Sequence, residues 1–112
     1  MITDLTQLQI EAKTNANKHG WIIFWNREDM NPKQKGHLSV GEALNLISGE
    51  CSGEATQAYR DLNKKAFGEE AADIAIRLLH LCGDVGIDLT AEINTKMSKN
   101  KERAFIHGHK VY

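Results

Sequence analysis

The alternation of apolar and polar positions is clearest between residues 67 and 84, where it has the period of an α-helix. One stripe of this segment is apolar and comprises Ala71, Ile74, Ala75, Leu78 and Leu81. The neighbouring stripe is polar and comprises Glu70, Asp73, Arg77, His80 and Asp84. The segment is therefore predicted to be an amphipathic helix that carries several ionisable groups along one line.

Three further segments have helical spacing. The first begins at Thr3 or Asp4, ends near Gly20, and has an apolar face of Leu5, Leu8, Ala12 and Ala16. The second begins at a capping box, Ser39 to Glu42, and its predicted core stripe is Leu44, Ile47, Cys51, Ala55, Ala58 and Leu62. The last is capped by Asp88 and has an apolar face of Leu89, Ile93, Met97 and Ala104. With a single proline in the chain, the pattern predicts an all-α domain of four main helices.

The segment between the first two helices does not follow the helical pattern. Its apolar run, residues 21–25, is short and continuous, so it fits either a strand or a buried turn between helices. Residues 26–37 are polar and predict a loop. Trp21 or Trp25 could line a pocket for a flat ring, since an aromatic face stacks on any base; the alternative is that both tryptophans only fill the core.

The composition fits one domain of 112 residues, comprising residues 1–38, the helices of 39–106 and a tail, 107–112. A net charge of -1 argues against binding to a nucleic-acid backbone. The sequence has no apolar run of bilayer length and does not begin like a signal peptide, which predicts a cytoplasmic protein without a membrane partner. Cys51 and Cys82 are predicted to be reduced core residues.

Two acidic pairs are predicted to face each other. Glu50 and Glu54 lie one turn apart on a row of the second helix that also contains Ala43, Ile47 and Ala58. The short connection 63–68 makes the second and third helices antiparallel, which places this row opposite Glu70 and Asp73. Four converging carboxylates need cations, and oxygen ligands suit Mg²⁺ or Mn²⁺. The alternative is a solvated helix face with an internal Asp73–Arg77 pair.

The fourth helix has a second polar stripe, formed by Lys96, Asn100 and Arg103 at i, i+4 and i+7. Lysine and arginine side chains at this spacing can hold phosphate oxygens. A solvated face is again the alternative. Arg77, on the polar stripe of the third helix, is a further candidate for contact with an anionic substrate.

At these residues the chain resembles the MazG-like nucleotide pyrophosphohydrolases. The resemblance lies in residues 69–79, 86–89, 96–103 and 107–108, with Gly53–Glu54–Ala55 and Ala58–Tyr59–Arg60 in the order of the family. It implies a MazG-like helical bundle that forms homodimers or homotetramers, with a site often completed by a neighbouring subunit. It also implies Mg²⁺-dependent cleavage of a nucleoside or deoxynucleoside triphosphate between the α and β phosphates, giving a monophosphate and pyrophosphate. Glu54, Glu70 and Asp73 match the family's metal ligands, and Lys96, Asn100 and Arg103 match residues near the nucleotide.

The chain departs from the family at Cys51, where a glutamate usually lies three positions before the one matching Glu54. Gly49 and Gly53 would allow a π-type bulge that turns Glu50 inward in its place. Glu50 is then a fourth metal ligand and the base that accepts the proton of the attacking water, with Glu54 beside it in the catalytic pair. The alternatives are a non-catalytic helical oligomer that binds nucleotide or protein, and a related dUTP, dCTP or phosphoribosyl-ATP pyrophosphohydrolase.

Overall fold

A computed structural model describes residues 4–102 of the chain, and these residues are mostly helical. The helices are α1 (Leu5–Lys18), α2 (Val40–Glu50), α3 (Thr56–Arg60), α4 (Lys64–Asp84) and α5 (Leu89–Lys101). A π-helical segment, Cys51–Ala55, joins α2 to α3, and a short 3-10 helix covers Arg27–Asp29. None of the helices in residues 4–102 is both long and apolar enough to cross a membrane. The all-α prediction therefore holds for the bulk of this region.

The exception is a two-stranded parallel sheet, β1 (Ile22–Phe24) with β2 (His37–Ser39). The apolar run after α1 is thus a strand, with Ile23 buried and opposite Leu38. Gly36 has a φ of +95°, and a Cβ there would clash with the carbonyl oxygen of Gly20. Glycine is therefore required where the polar loop returns to pair with the first strand.

The second predicted helix is one continuous rod of three parts, α2, the π segment and α3. It begins at the predicted capping box, in which the Ser39 hydroxyl accepts a hydrogen bond from the Glu42 backbone and the Glu42 carboxylate accepts one from that of Ser39. The predicted π-type bulge is confirmed, and within it the Thr56 hydroxyl donates to the Cys51 carbonyl. The rod ends in a Schellman motif with Leu62 in the left-handed conformation, at a φ of 55°.

Helix α4 runs antiparallel to this rod, as predicted. Ala43 and Leu81 share the small core at one end, with Ile23, and Glu54 approaches Glu70 at the other end. The side chain of Asn63 caps α4 by accepting a hydrogen bond from the Ala66 backbone. The two acidic pairs predicted to face each other therefore belong to helices that do face each other.

The faces that these two helices turn inward differ from the predicted core stripe. Leu44 and Leu62 are 50% and 87% exposed, and Cys51 is exposed rather than buried in the core. On α4, Leu78 is 40% exposed, whereas His80 on the polar stripe is buried. Part of each predicted apolar stripe therefore faces outward, although Ala55, Ala58 and Leu81 on these stripes are buried.

A buried carboxylate, Asp84, connects α4 to α1 and β1. Its side chain, 1% exposed, accepts hydrogen bonds from the Ile23 backbone at 2.8 Å, Lys13 Nζ at 3.0 Å and Asn17 Nδ2 at 3.1 Å. His80 Nε2 lies 2.7 Å from it. Burial would raise the pKa of Asp84, but these hydrogen bonds outweigh burial and hold the pKa below its ordinary value. Asp84 therefore links α4, α1 and β1.

Candidate functional site

Three carboxylates converge between the rod and α4. Glu50, at the end of α2, Glu54, in the π segment, and Glu70, on α4, each place one carboxylate oxygen within 4.8 Å of the others. We call these three residues the acidic cluster. They are three of the four predicted metal ligands, and they meet because antiparallel packing superimposes the two acidic rows.

The protonation of the acidic cluster is unusual. Burial of the Glu70 carboxyl group, a hydrogen bond with Glu54, and the negative charges of Glu54 and Glu50 raise the pKa of Glu70 from 4.5 to about 7. Near neutral pH the cluster therefore binds a proton that an isolated glutamate would have lost. A proton and a cation are alternative ways to reduce the same repulsion between carboxylates.

Two oxygen atoms of the acidic cluster have no hydrogen-bond partner. Oε2 of Glu50 and Oε2 of Glu70 are both buried and unpaired. A buried acceptor without a donor is costly, so natural proteins rarely leave one without a use. The unpaired atoms belong to the two helices that form the cluster.

One cation contacts the acidic cluster in the described part of the chain. Arg77 Nη2 lies 3.4 Å from Oε1 of Glu50. The pairing of Arg77 with Asp73 that a solvated helix face would show is not found among the salt bridges of residues 4–102. Arg77 instead links α4 to α2 directly beside the cluster.

The π segment determines that Glu50, and not Cys51, joins the acidic cluster. A π turn closes i→i+5 hydrogen bonds and therefore contains one more residue than an α turn. Residues four apart then remain on one face, while residues three apart are rotated away from each other. Glu50 consequently lies beside Glu54, whereas Cys51 is exposed.

The donor set of the acidic cluster fits a hard dication. The ligands are all oxygen atoms, their summed charge is negative, and two of them are buried and unpaired. Oxygen ligands of one Mg²⁺ ion, at about 2.1 Å from it, lie roughly 3–4 Å apart, which is within the 4.8 Å limit that the three carboxylates satisfy. The three residues present are therefore able to hold Mg²⁺ or Mn²⁺.

Asp73 and the two tryptophans, which were also predicted site residues, lie outside the acidic cluster. Asp73 is exposed and is not among the three grouped carboxylates. Trp21 lines a cavity of about 50 Å³ with Arg77 and His80, whereas Trp25 is 69% exposed. Trp21 therefore shares a cavity with Arg77, the residue that contacts Glu50 of the acidic cluster.

Two residues of the predicted phosphate clamp, Lys96 and Asn100, are on α5. Lys96 is exposed and Asn100 is half-buried, while Arg103 lies outside the described residues. No residue of α5 is buried, and its hydrogen bonds to α1 lie at its beginning, where the Thr90 and Thr6 hydroxyls pair and the Leu89 backbone donates to Gln9.

The network around Asp84 was not predicted from the sequence. The useful signal was the i, i+4 spacing of His80 and Asp84 on a stripe set among apolar residues. Their partners Lys13 and Asn17 are also four apart, on α1. Two such pairs on different helices indicate a polar contact between the helices.

Comparison of the chain with protein-family models, with curated proteins and with solved structures finds no match. The interpretation of the site therefore depends on its residues and their geometry.

Proposed function

We propose that the protein is a Mg²⁺-dependent pyrophosphohydrolase of nucleoside or deoxynucleoside triphosphates, acting in the cytoplasm. The observation that carries the proposal is the convergence of Glu50, Glu54 and Glu70 with two buried, unpaired oxygen atoms. The resemblance of residues 69–79 and 96–103 to the MazG-like enzymes supplies the substrate class. Asp73, one turn from Glu70, would be a fourth ligand after a change of its side-chain position.

Each residue of the site has a role in this proposal. Bound Mg²⁺ would neutralise phosphate oxygens and lower the pKa of the attacking water. Glu50 accepts the proton as the water oxygen bonds to the α-phosphorus, with Glu54 beside it. The bond from the α-phosphorus to the bridging oxygen breaks, so pyrophosphate leaves and a nucleoside monophosphate remains. Arg77 would contact the substrate's phosphates, and Trp21 would flank its base.

The proposal includes a homodimer or homotetramer. The outward-facing apolar side chains of α2 and α4, such as Leu44 and Leu78, need a cover. Helix α5, which has no buried residue of its own, would place Lys96 and Asn100 toward the acidic cluster of a second copy. A shared site of this kind would bring the predicted phosphate clamp to the predicted metal ligands.

Pyrophosphate release from a panel of ribonucleoside and deoxyribonucleoside triphosphates, with and without Mg²⁺, tests the activity. We expect release only with Mg²⁺, and a fall of about 100-fold or more in the Glu70→Gln and Glu54→Gln variants, because each loses a ligand charge. Glu69→Gln is the matched control, since Glu69 is the exposed neighbour of Glu70. It should retain wild-type activity.

The same panel separates the alternatives. Preference for dUTP, dCTP or phosphoribosyl-ATP would identify a more specialised hydrolase of the same chemistry. Absence of turnover with every substrate, despite folded protein and bound nucleotide, would indicate the non-catalytic oligomer. Equal activity in wild-type protein and Glu70→Gln would contradict the metal-site assignment.

A further inference from the structure

Arg77 occupies a position between two features of the proposed site. Its guanidinium group contacts Oε1 of Glu50 at 3.4 Å, and its side chain also lines the cavity that contains Trp21 and His80. The side chain of Glu50 is 15% exposed and that of Arg77 is 44% exposed. The anion of this pair is therefore held in place by packing, while the cation extends partly into solvent.

The contact between Arg77 and Glu50 is a single one. One nitrogen approaches one oxygen, and the second Glu50 oxygen is buried and unpaired. Arginine usually binds a carboxylate with two parallel hydrogen bonds, which is the stronger arrangement. A partly exposed pair with one long contact contributes little free energy, so a competing cation would separate it readily.

We propose that Arg77 is an exchangeable counter-ion of the acidic cluster, which a divalent cation displaces from Glu50. The displaced guanidinium then remains in the Trp21 cavity, where it is available to the phosphate oxygens of the substrate. This inference rests on the proposed function, and it adds an order of events: the cation binds and the arginine is released for the substrate. Arg77 is thereby a positioning residue whose partner depends on the state of the cluster.

The two possible roles of Arg77 predict opposite changes in the affinity for the cation. If Arg77 competes with the cation, its removal makes cation binding tighter. If Arg77 only holds Glu50 in position, its removal makes cation binding weaker. The sign of the change in affinity therefore distinguishes the two roles.

A Mn²⁺ titration gives the sign of this change in affinity without any turnover. Binding is measured by the loss of the electron paramagnetic resonance signal of free Mn²⁺. We expect Arg77→Met to bind Mn²⁺ about three- to fivefold more tightly than wild-type protein, the ratio that a weak, partly exposed ion pair supplies. Arg77→Lys should remain near the wild-type affinity because it keeps the charge. Arg60→Met is the control: Arg60 is exposed and forms none of the salt bridges found in residues 4–102.

Trp21 supplies a second measurement, because Trp21 and Arg77 line the same cavity. In a Trp25→Phe background Trp21 is the remaining tryptophan of the two in the chain. Mn²⁺ or Mg²⁺ alone should change its emission in this background, and Arg77→Met should abolish that change. Mg²⁺ is the cleaner probe of the two, since Mn²⁺ also quenches by itself.

The outcomes separate this inference from the proposed function. Binding of Mn²⁺ by wild-type protein, with Arg77→Met no tighter than Arg60→Met, overturns the role of Arg77 and leaves the metal site intact. Failure of both wild-type protein and Arg77→Met to bind Mn²⁺ overturns the metal site and the inference together. Tighter binding by Arg77→Met, with loss of the Trp21 response, supports both.

Discussion

Two carboxylates of α4 show how surroundings, and not residue type, determine the behaviour of a side chain. Asp84 is surrounded by donors from α1, β1 and His80, which keep its pKa below the ordinary value. Glu70 is surrounded by Glu54 and Glu50, which contribute to raising its pKa to about 7. The first carboxylate is therefore a structural anchor, and the second is a group that needs a proton or a cation.

Replacing Asp84 with asparagine should lower the free energy of unfolding by about 2–4 kcal/mol, because Lys13, Asn17, His80 and the Ile23 backbone lose a charged acceptor. Urea denaturation at fixed protein concentration measures the change. Asp61→Asn is the control, since the carboxylate of Asp61 accepts a hydrogen bond from Gln57 on the exposed surface and its loss should cost no more than about 0.5 kcal/mol. Equal effects of the two substitutions would contradict the anchoring role of Asp84.

Glu70 should make the metal-free protein less stable as the pH rises from 4.5 to about 7. Over this window the folded state keeps a proton that the unfolded state has already lost, so deprotonation favours unfolding. The urea midpoint in the presence of EDTA should therefore fall across the window and become flat above it. Asp84 does not interfere, because its stabilisation is complete above 3.8 and is lost only at lower pH.

In Glu70→Gln this fall should be absent, because no proton is exchanged at that position. Glu69→Gln, one residue away on the exposed surface, should keep the wild-type slope. A Glu70→Gln curve parallel to that of wild-type protein would place the perturbed group elsewhere.

At the scale of elements, the π segment is the feature on which the acidic cluster depends. The extra residue of a π turn keeps Glu50 and Glu54 on one face and turns Cys51 outward. The local backbone, and not the residue count alone, aligns the carboxylates.

Exchanging Glu50 and Cys51, as the double variant Glu50→Cys with Cys51→Glu, should weaken Mn²⁺ binding about tenfold or more, because the glutamate then points away from Glu54. Deleting Ser52 should convert the π turn to an α turn and leave Glu50 three positions before the other glutamate. Mn²⁺ binding by this deletion variant should stay within a few-fold of wild-type. Paramagnetic resonance titration measures both variants, and wild-type affinity in the exchanged variant would show that the π segment does not select Glu50.

The sequence predicted the parts of the fold that depend on local signals. The caps at Asp4, Ser39, Asn63 and Asp88 all bond to the start of a helix. Ser39 and Asp88 were predicted as caps, and Asp4 was one of two alternatives with Thr3. The facing acidic rows followed from spacing, whereas the π bulge was expected from the glycines in the helix and from the family resemblance. The strand pair did not, because a short apolar run such as 21–25 has no period that separates a strand from a buried turn.

The sequence did not reveal which stripe of each helix faces inward. Leu44 and Leu78 have the periodicity of core residues, yet they are half-exposed, and the polar His80 is buried. Periodicity shows that a helix has an apolar side, but it does not show whether the cover belongs to the same chain. An apolar stripe lies beside a stripe of paired ionisable residues. This arrangement indicated that the helix has two different contact surfaces.

At the scale of the whole molecule, the described chain has a small core and a large apolar surface. Its inward contacts include the Ile23–Ala43–Leu81 cluster and the polar network around Asp84. The exposed apolar side chains include Leu44 of α2 and Leu78 of α4, and an apolar groove at the α3–α4 turn is lined by Tyr59, Leu62 and Phe67. Exposed apolar side chains are a common site of association, so we predict that a second copy of the chain covers them.

Light scattering after size exclusion should therefore give a mass of two or four chains of 12.5 kDa each. Leu78→Glu and Leu44→Glu should each shift the mass toward that of one chain, because each places a charge on an apolar stripe that a second copy must cover. Both side chains are at least 40% exposed in the single chain, so helical circular dichroism should change little.

Gln34→Glu is the matched control, as it adds the same charge in the exposed loop between β1 and β2 and should leave the mass unchanged. A monomeric wild-type protein would show that these stripes stay exposed to water. If instead the glutamate variants dissociate and also lose pyrophosphate release while still binding Mn²⁺, the acidic cluster is complete within one chain. The second copy would then supply the phosphate clamp of Lys96 and Asn100. The reason is that a metal site within one chain would survive dissociation, whereas a substrate site shared between two chains would not.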